Sequence, residues 1–240
     1  MKKLISLLAL CISLAFGSAA ISEPLFHEKR YPKGDGPFPA VMLLHSSGGF
    51  YTVLDQLKPY TQRGYAAYAP DFFHRHKITK ASRFDTWTRY RTDIEKELIE
   101  IVEVMKADPK VDKNNIFAAG FSNGGYWATF LAGRNHVNAG ASHYGVWWFG
   151  WGRWNGYPVQ YLSKESNPVL ALHGLKDTVV KNSLEQFTSA EWASPKFKKV
   201  LFPNIGHSWD CKYCKEDGYN AEITQKALDL TIEFFEQNRK

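Results

Sequence analysis

The chain has only 3 cysteines in 240 residues, too few to fill a zinc site without drawing on residues needed elsewhere. It lacks internal repeats, low-complexity tracts and long charge runs, which argues against repeat, fibrous and disordered architectures. Its positive residues are scattered and nowhere form the Lys/Arg-rich block of a nucleic-acid binder. The long apolar run Leu4 to Phe16 falls short of the ~20 residues needed to span a bilayer.

What is present is the composition of an ordinary globular protein, 44% hydrophobic and 22% charged, at a length suited to one sizeable α/β domain. Lys2 and Lys3 precede the apolar run, and Gly17-Ser18-Ala19-Ala20 follows it. A charged start, a short apolar middle and small residues form the pattern of a cleaved secretory leader. The expectation is therefore a signal peptide over 1–20 and a single domain over 21–240, with no stable membrane anchor after cleavage. A membrane anchor and a lipid attached at Cys11 are the alternatives; Leu10 is too bulky for the usual lipoprotein site. Export would leave the protein periplasmic or secreted. Of the formal net charge of +6, two charges reside in Lys2 and Lys3, so basicity says little about partners.

Short apolar runs alternate with longer amphipathic stretches, the order of a parallel sheet with crossover helices. Strands are expected at Ala40–His45, Ala66–Ala69, Asn115–Phe121, Ala139–Tyr144, Val169–His173 and Lys199–Pro203, with an extra edge strand at Leu25–Tyr31. Helices are expected at Trp87–Met105, Ser122–Ala132 and Ala221–Asn238, and a weaker one at Leu54–Arg63. In the first of these Ile94, Leu98, Ile101, Val102 and Met105 recur at helical spacing, and Asp108-Pro109 ends it.

Asn115 to Phe121 runs as an apolar strand into Gly120-Phe121-Ser122-Asn123-Gly124, and a helical pattern follows. Gly-x-Ser-x-Gly between a strand and a helix is a nucleophile elbow: the serine sits on a strained turn whose neighbours pack too closely for side chains. A serine hydroxyl is a poor nucleophile at neutral pH and needs an adjacent base. The chain order for this fold is serine, acid, histidine. Asp177 follows the strand ending at His173-Gly174, and His207 follows the strand ending at Pro203. The catalytic candidates are thus Ser122, Asp177 and His207. Asp210 is a rival acid, but it shares a loop with His207 and comes after it. His45, His143 and His173 read as packing or hydrogen-bonding residues at strand ends, and His74, His76 and His136 as surface residues. For the oxyanion hole the backbone amide of Asn123 is one donor. The other is expected from His45-Ser46-Ser47-Gly48-Gly49-Phe50, at Ser47, with Ser46 beside it toward the substrate.

These motifs resemble those of the dienelactone hydrolase family. The resemblance is carried by His45–Phe50, Tyr68–Phe73, Val111-Asp112 leading to Gly120–Gly125, His173–Val179 and His207, in the right order along nearly the whole mature chain. It implies a three-layer α/β/α sandwich with a mostly parallel sheet, the α/β-hydrolase fold. It also implies no metal, no organic cofactor, and hydrolysis of small esters or lactones through an acyl-enzyme. One departure matters. Dienelactone hydrolases proper use cysteine as nucleophile, with a glutamate near the oxyanion loop, where this chain has Ser122 and Ser46-Ser47. The substitution points away from dienelactone and toward a general carboxylesterase, as does export.

Two local features stand apart. Trp147 to Pro158 is dense in aromatics; Trp147 and Trp148 read as cover for the core edge, and Trp151 and Trp154 as a substrate-binding wall. Cys211 and Cys214 begin four residues after His207 and read as a short disulfide rather than a redox or zinc motif. The leading function is an exported serine esterase or lactonase with a small-molecule substrate and no nucleic-acid partner. A small serine peptidase, a carbohydrate esterase and a non-catalytic binding protein on a hydrolase scaffold are the rivals. Oligomeric state is silent in the sequence.

Overall fold

A computed structural model of the chain describes residues 27–148, 156–180, 182–213 and 218–240. The leader over 1–20, Trp151, Trp154 and Cys214 lie outside the described residues. No helix among the described residues is long and apolar enough to cross a membrane.

Seven strands form one sheet: β1 (His27–Arg30), β2 (Phe38–Leu44), β3 (Ala66–Pro70), β4 (Val111–Phe121), β5 (Gly140–His143), β6 (Val169–Gly174) and β7 (Phe197–Phe202). Their spatial order is β1-β3-β2-β4-β5-β6-β7. All neighbours pair in parallel except β1, which lies antiparallel on β3 at the edge. Five helices connect them: α1 (Leu54–Gln62), α2 (Arg91–Ala107), α3 (Asn123–Gly133), α4 (Ser183–Ala193) and α5 (Ala221–Glu236).

The alternation of strand side chains sorts the core into two layers. On β2, Ala40, Met42 and Leu44 join the core beneath α2, α3 and α4, while Val41 and Leu43 join the core beneath α1 and α5. Both faces are apolar because both are covered, as expected of a parallel sheet. The chain leaves β2 toward β3 on one side and returns to β4 on the other, so the carboxyl ends of β2 and β4 flank a switch point. Ligand crevices form there in open α/β sheets.

Three features differ most from expectation: β4 begins at Val111, four residues before Asn115, and the other two concern helices. α2 starts at Arg91 rather than Trp87, because residues 83–86 form a separate 3-10 turn and Trp87 packs on Phe84 and Tyr126. α4 was not foreseen. Only Ser183, Phe187 and Ala190 of it are buried, too narrow a stripe to give a helical period. Phe187 is nevertheless held between Trp147 and Phe197.

Candidate active site

Ser122 stands at the sharp turn between β4 and α3, with φ 53° and ψ −109°, a left-handed conformation costly for any residue with a side chain. The flanking glycines are required by contact. A Cβ on Gly120 would fall 1.9 Å from the Gly124 carbonyl oxygen, and one on Gly124 would fall 2.0 Å from that of Leu44. The Ser122 amide donates to His143 O at 3.0 Å and its carbonyl accepts from the Val146 amide at 3.1 Å, which ties the turn to the end of β5.

Three loops at the carboxyl ends of β4, β6 and β7 bring Ser122, Asp177 and His207 together. The Ser122 Oγ lies 2.9 Å from His207 Nε2, and His207 Nδ1 lies 2.7 Å from Asp177 Oδ2. The other carboxylate oxygen accepts from the Val179 and Val180 amides, each at 2.9 Å. Burial pushes the Asp177 carboxyl up, but the hydrogen bond and charge of His207 and the Val180 amide outweigh it, so its pKa falls below the ordinary value. An anionic Asp177 fixes the Nδ1–H tautomer and leaves Nε2 to accept a proton.

His173 also approaches this carboxylate, with Nε2 3.5 Å from Asp177 Oδ2. Burial lowers its pKa to about 4, so it is neutral at working pH. His143, buried and lowered to about 3, pairs with Thr231 at 3.0 Å. His45 is buried and stacked on Phe72. All three pack or bond as expected. Asp210 is engaged by other side chains. Its carboxylate accepts from the Tyr144 hydroxyl and, at 3.0 Å, from Gln56 Nε2.

The oxyanion candidates lie side by side, with Asn123 Nδ2 3.4 Å from Ser47 Oγ. Asn123 is the first residue of α3, so its amide has no intrahelical acceptor. In the loop after β2 the Ser46 amide donates to Thr52 Oγ1, the Gly48 amide to Ser46 Oγ and the Gly49 amide to Ser46 O. That leaves the Ser47 amide as the one among residues 46–49 without a partner among the described residues.

Ser122 and His207 open on a cavity of about 460 Å³ that Ser46 and Ser47 also line. Its apolar wall includes Phe84, Trp87, Val146, Trp148, Val179 and Val180, and two cations, Lys80 and Arg83, border it. Sequence reasoning missed most of this wall. Trp87 was absorbed into a helical period, and residues 80–84 carry no motif. Trp148 is corrected from core cover to cavity wall; Trp147 alone is fully buried, its Nε1 donating to Ser142 Oγ at 3.2 Å. Cys211 is disulfide-bonded. No cluster of metal-binding side chains occurs among the described residues.

The strand order, the elbow and the clustering of polar groups at the strand ends define an α/β-hydrolase fold. The chain belongs to the dienelactone hydrolase family, whose model matches residues 29–239, and it is a hydrolase acting on ester bonds. No curated protein matches the sequence. Solved structures with the same fold include a promiscuous phosphotriesterase from metagenomic libraries, described as dienelactone hydrolase-like, with TM-score 0.73 and 18% identity over 89% of this chain and 92% of that one. A Klebsiella pneumoniae protein provisionally assigned as a dienelactone hydrolase has TM-score 0.70 and 23% identity over 88% and 92%. An esterase of Thermogutta terrifontis has TM-score 0.67 and 18% identity over 88% of both chains.

Proposed function

We propose that the protein is a serine carboxylesterase that cleaves small carboxylic esters or lactones through an acyl-enzyme. The reading rests on one observation: a buried hydrogen-bond chain from Ser122 through His207 to Asp177, ending on an apolar cavity. Ser122 Oγ attacks the carbonyl carbon as its proton passes to His207 Nε2, and Asp177 stabilises the imidazolium. The amides of Asn123 and Ser47 receive the oxyanion. His207 then gives its proton to the departing alkoxide, leaving the acyl group on Ser122. Water repeats the sequence and frees the acid; for a lactone, the alcohol remains on the same molecule. A cavity of about 460 Å³ suits a small acyl group, being near the lower end of ligand pockets.

The test is hydrolysis of short p-nitrophenyl esters by the wild type and by Ser122→Ala. Turnover is expected to fall by about four to six powers of ten with folding intact; activity that survives the substitution overturns the assignment.

Export is proposed from the leader pattern alone. N-terminal sequencing of the protein from its native host is expected to begin near Ile21, and a chain retaining Met1 would refute it.

A further inference from the structure

Two hydrogen bonds hold the His207 imidazole, one at Nδ1 and one at Nε2. Hydrogen bonds at opposite corners of a ring define an axis, and contacts on its faces and edges set its tilt about that axis. Tilt lengthens neither bond much at first, yet it turns the Nε2 lone pair away from Ser122.

The structure provides a stop in Tyr144, the residue after β5, whose ring meets the His207 ring edge-on with centroids 4.7 Å apart. Tyr144 is itself in an unfavourable conformation, φ 37°, which needs outside support to persist. That support comes from two sides. Trp209 packs edge-on against its ring at 4.6 Å, and its hydroxyl donates to Asp210 Oδ1. The second Asp210 oxygen accepts from Gln56 Nε2 at 3.0 Å. The Asp210 carboxylate therefore joins α1, the turn after β5 and the loop carrying His207 at one point. Trp209, the residue before it, anchors the same loop: its carbonyl accepts from the Asn220 amide and from Thr224 Oγ1.

We infer that Tyr144 and Asp210 form a positioning pair for His207, with the Tyr144 ring limiting imidazole tilt and the Asp210 carboxylate locking that ring in place. Neither residue borders the cavity, so the pair acts through His207 and not on substrate. Its cost is visible. Burial raises the Asp210 carboxyl to about 6 against the pull of Tyr144 and His207, so the carboxylate is charged at neutral pH in a place that disfavours charge. The titratable groups around it are Tyr144, Tyr60 of α1 and His207. A carboxylate kept at such a cost is more economically explained by function than by stability.

This inference rests on the serine-hydrolase reading above, and the experiment separates the two. Tyr144→Phe keeps the ring and removes its anchor; Asp210→Asn keeps the shape and removes the charge. With a short p-nitrophenyl ester at pH 8, each is expected to lower kcat by about ten- to a hundred-fold through misorientation of the base. KM is expected to stay within about two-fold, and the double variant to be no worse than the weaker single, since the pair acts as a unit. Gln56→Met, which removes the Gln56 bond to Asp210, is expected to show a smaller fall and guards against a core variant that does not fold. Unchanged kcat in Tyr144→Phe, Asp210→Asn and Gln56→Met, beside a dead Ser122→Ala, overturns the positioning pair alone. So does a change in KM without one in kcat. An active Ser122→Ala overturns the triad and the pair with it.

Discussion

The floor of the cavity and the wall that faces it are built from different material. On the floor, Ser122 and His207, with Asp177 behind them, are 6%, 4% and 5% exposed, and each stands just beyond a strand of the central sheet. Backbone contacts dictate their positions, down to carbonyl groups that tolerate no Cβ on Gly120 or Gly124. The wall comes from residues 80–87, 146–148 and 178–180, mostly loop and 3-10 turn. There Phe84 is 42% and Val179 52% exposed, and Lys80 and Arg83 lie beside apolar side chains. The contrast is one of constraint. On the proposed reading, reaction geometry is carried by elements that cannot move without unfolding the sheet, and substrate choice by side chains that can change with little structural cost.

Replacing one residue in each region is the strongest attempt to break that contrast. Gly124→Ala forces a Cβ against the Leu44 carbonyl and is expected to cost ~3 kcal/mol or more of stability, at the upper end of overpacking effects. Val179→Ala, on the exposed wall, is expected to stay within about 0.5 kcal/mol. Comparable losses in urea denaturation would show that floor and wall are equally constrained.

A second measurement sharpens the comparison by locating stored cost on the floor side. The Asp210 carboxyl is raised in the fold from 3.8 to about 6. Between these values the unfolded chain binds fewer protons than the native one, so this group makes stability fall as pH rises. Its contribution is most favourable below pH 4 and is lost by about pH 7, a change of up to about 3 kcal/mol. Asp210→Asn is therefore expected to gain stability relative to wild type as pH rises from 4 to 7. Parallel stability curves would show that Asp210 carries no such burden.

The smallest effect belongs to the wall. Lys80 and Arg83 border the cavity, and replacing both with alanine is expected to raise KM for an ester bearing a carboxylate about three- to ten-fold, as partly exposed charges allow. KM for a neutral ester of the same size is expected to hold. Equal changes for both esters would mean that the two side chains shape the wall rather than supply charge.

Much of the floor was legible in the residues. Gly120, Ser122 and Gly124 between an apolar strand and a helix specify a local turn, and a local turn can be read from a local pattern. Chain order then singled out Asp177 and His207, because each had to follow its own strand. The edge strand at β1 and helices α1, α3 and α5 were likewise expected from their patterns, with small shifts at their ends. The wall was not legible. Trp87 continues a helical spacing that the chain abandons, and Trp148 looks no different from the buried Trp147 beside it. Which of two adjacent tryptophans faces a cavity depends on where α4 lies, and α4 shows only three buried residues along its length.

What the sequence by itself determined, then, was the part enforced within a few residues: the elbow, the strand ends, and the candidates for nucleophile, acid and base. Only the tertiary structure decided what surrounds them. It moved Asp210 from rival acid to partner of Tyr144, gave His173 a place beside Asp177, and assembled the cavity wall from segments nearly a hundred residues apart. The physical reason is that backbone conformation is a local property, set by sterics at one or two residues. Burial, charge environment and cavity shape depend on which distant segments the sheet brings together, and no short stretch of sequence encodes that alone.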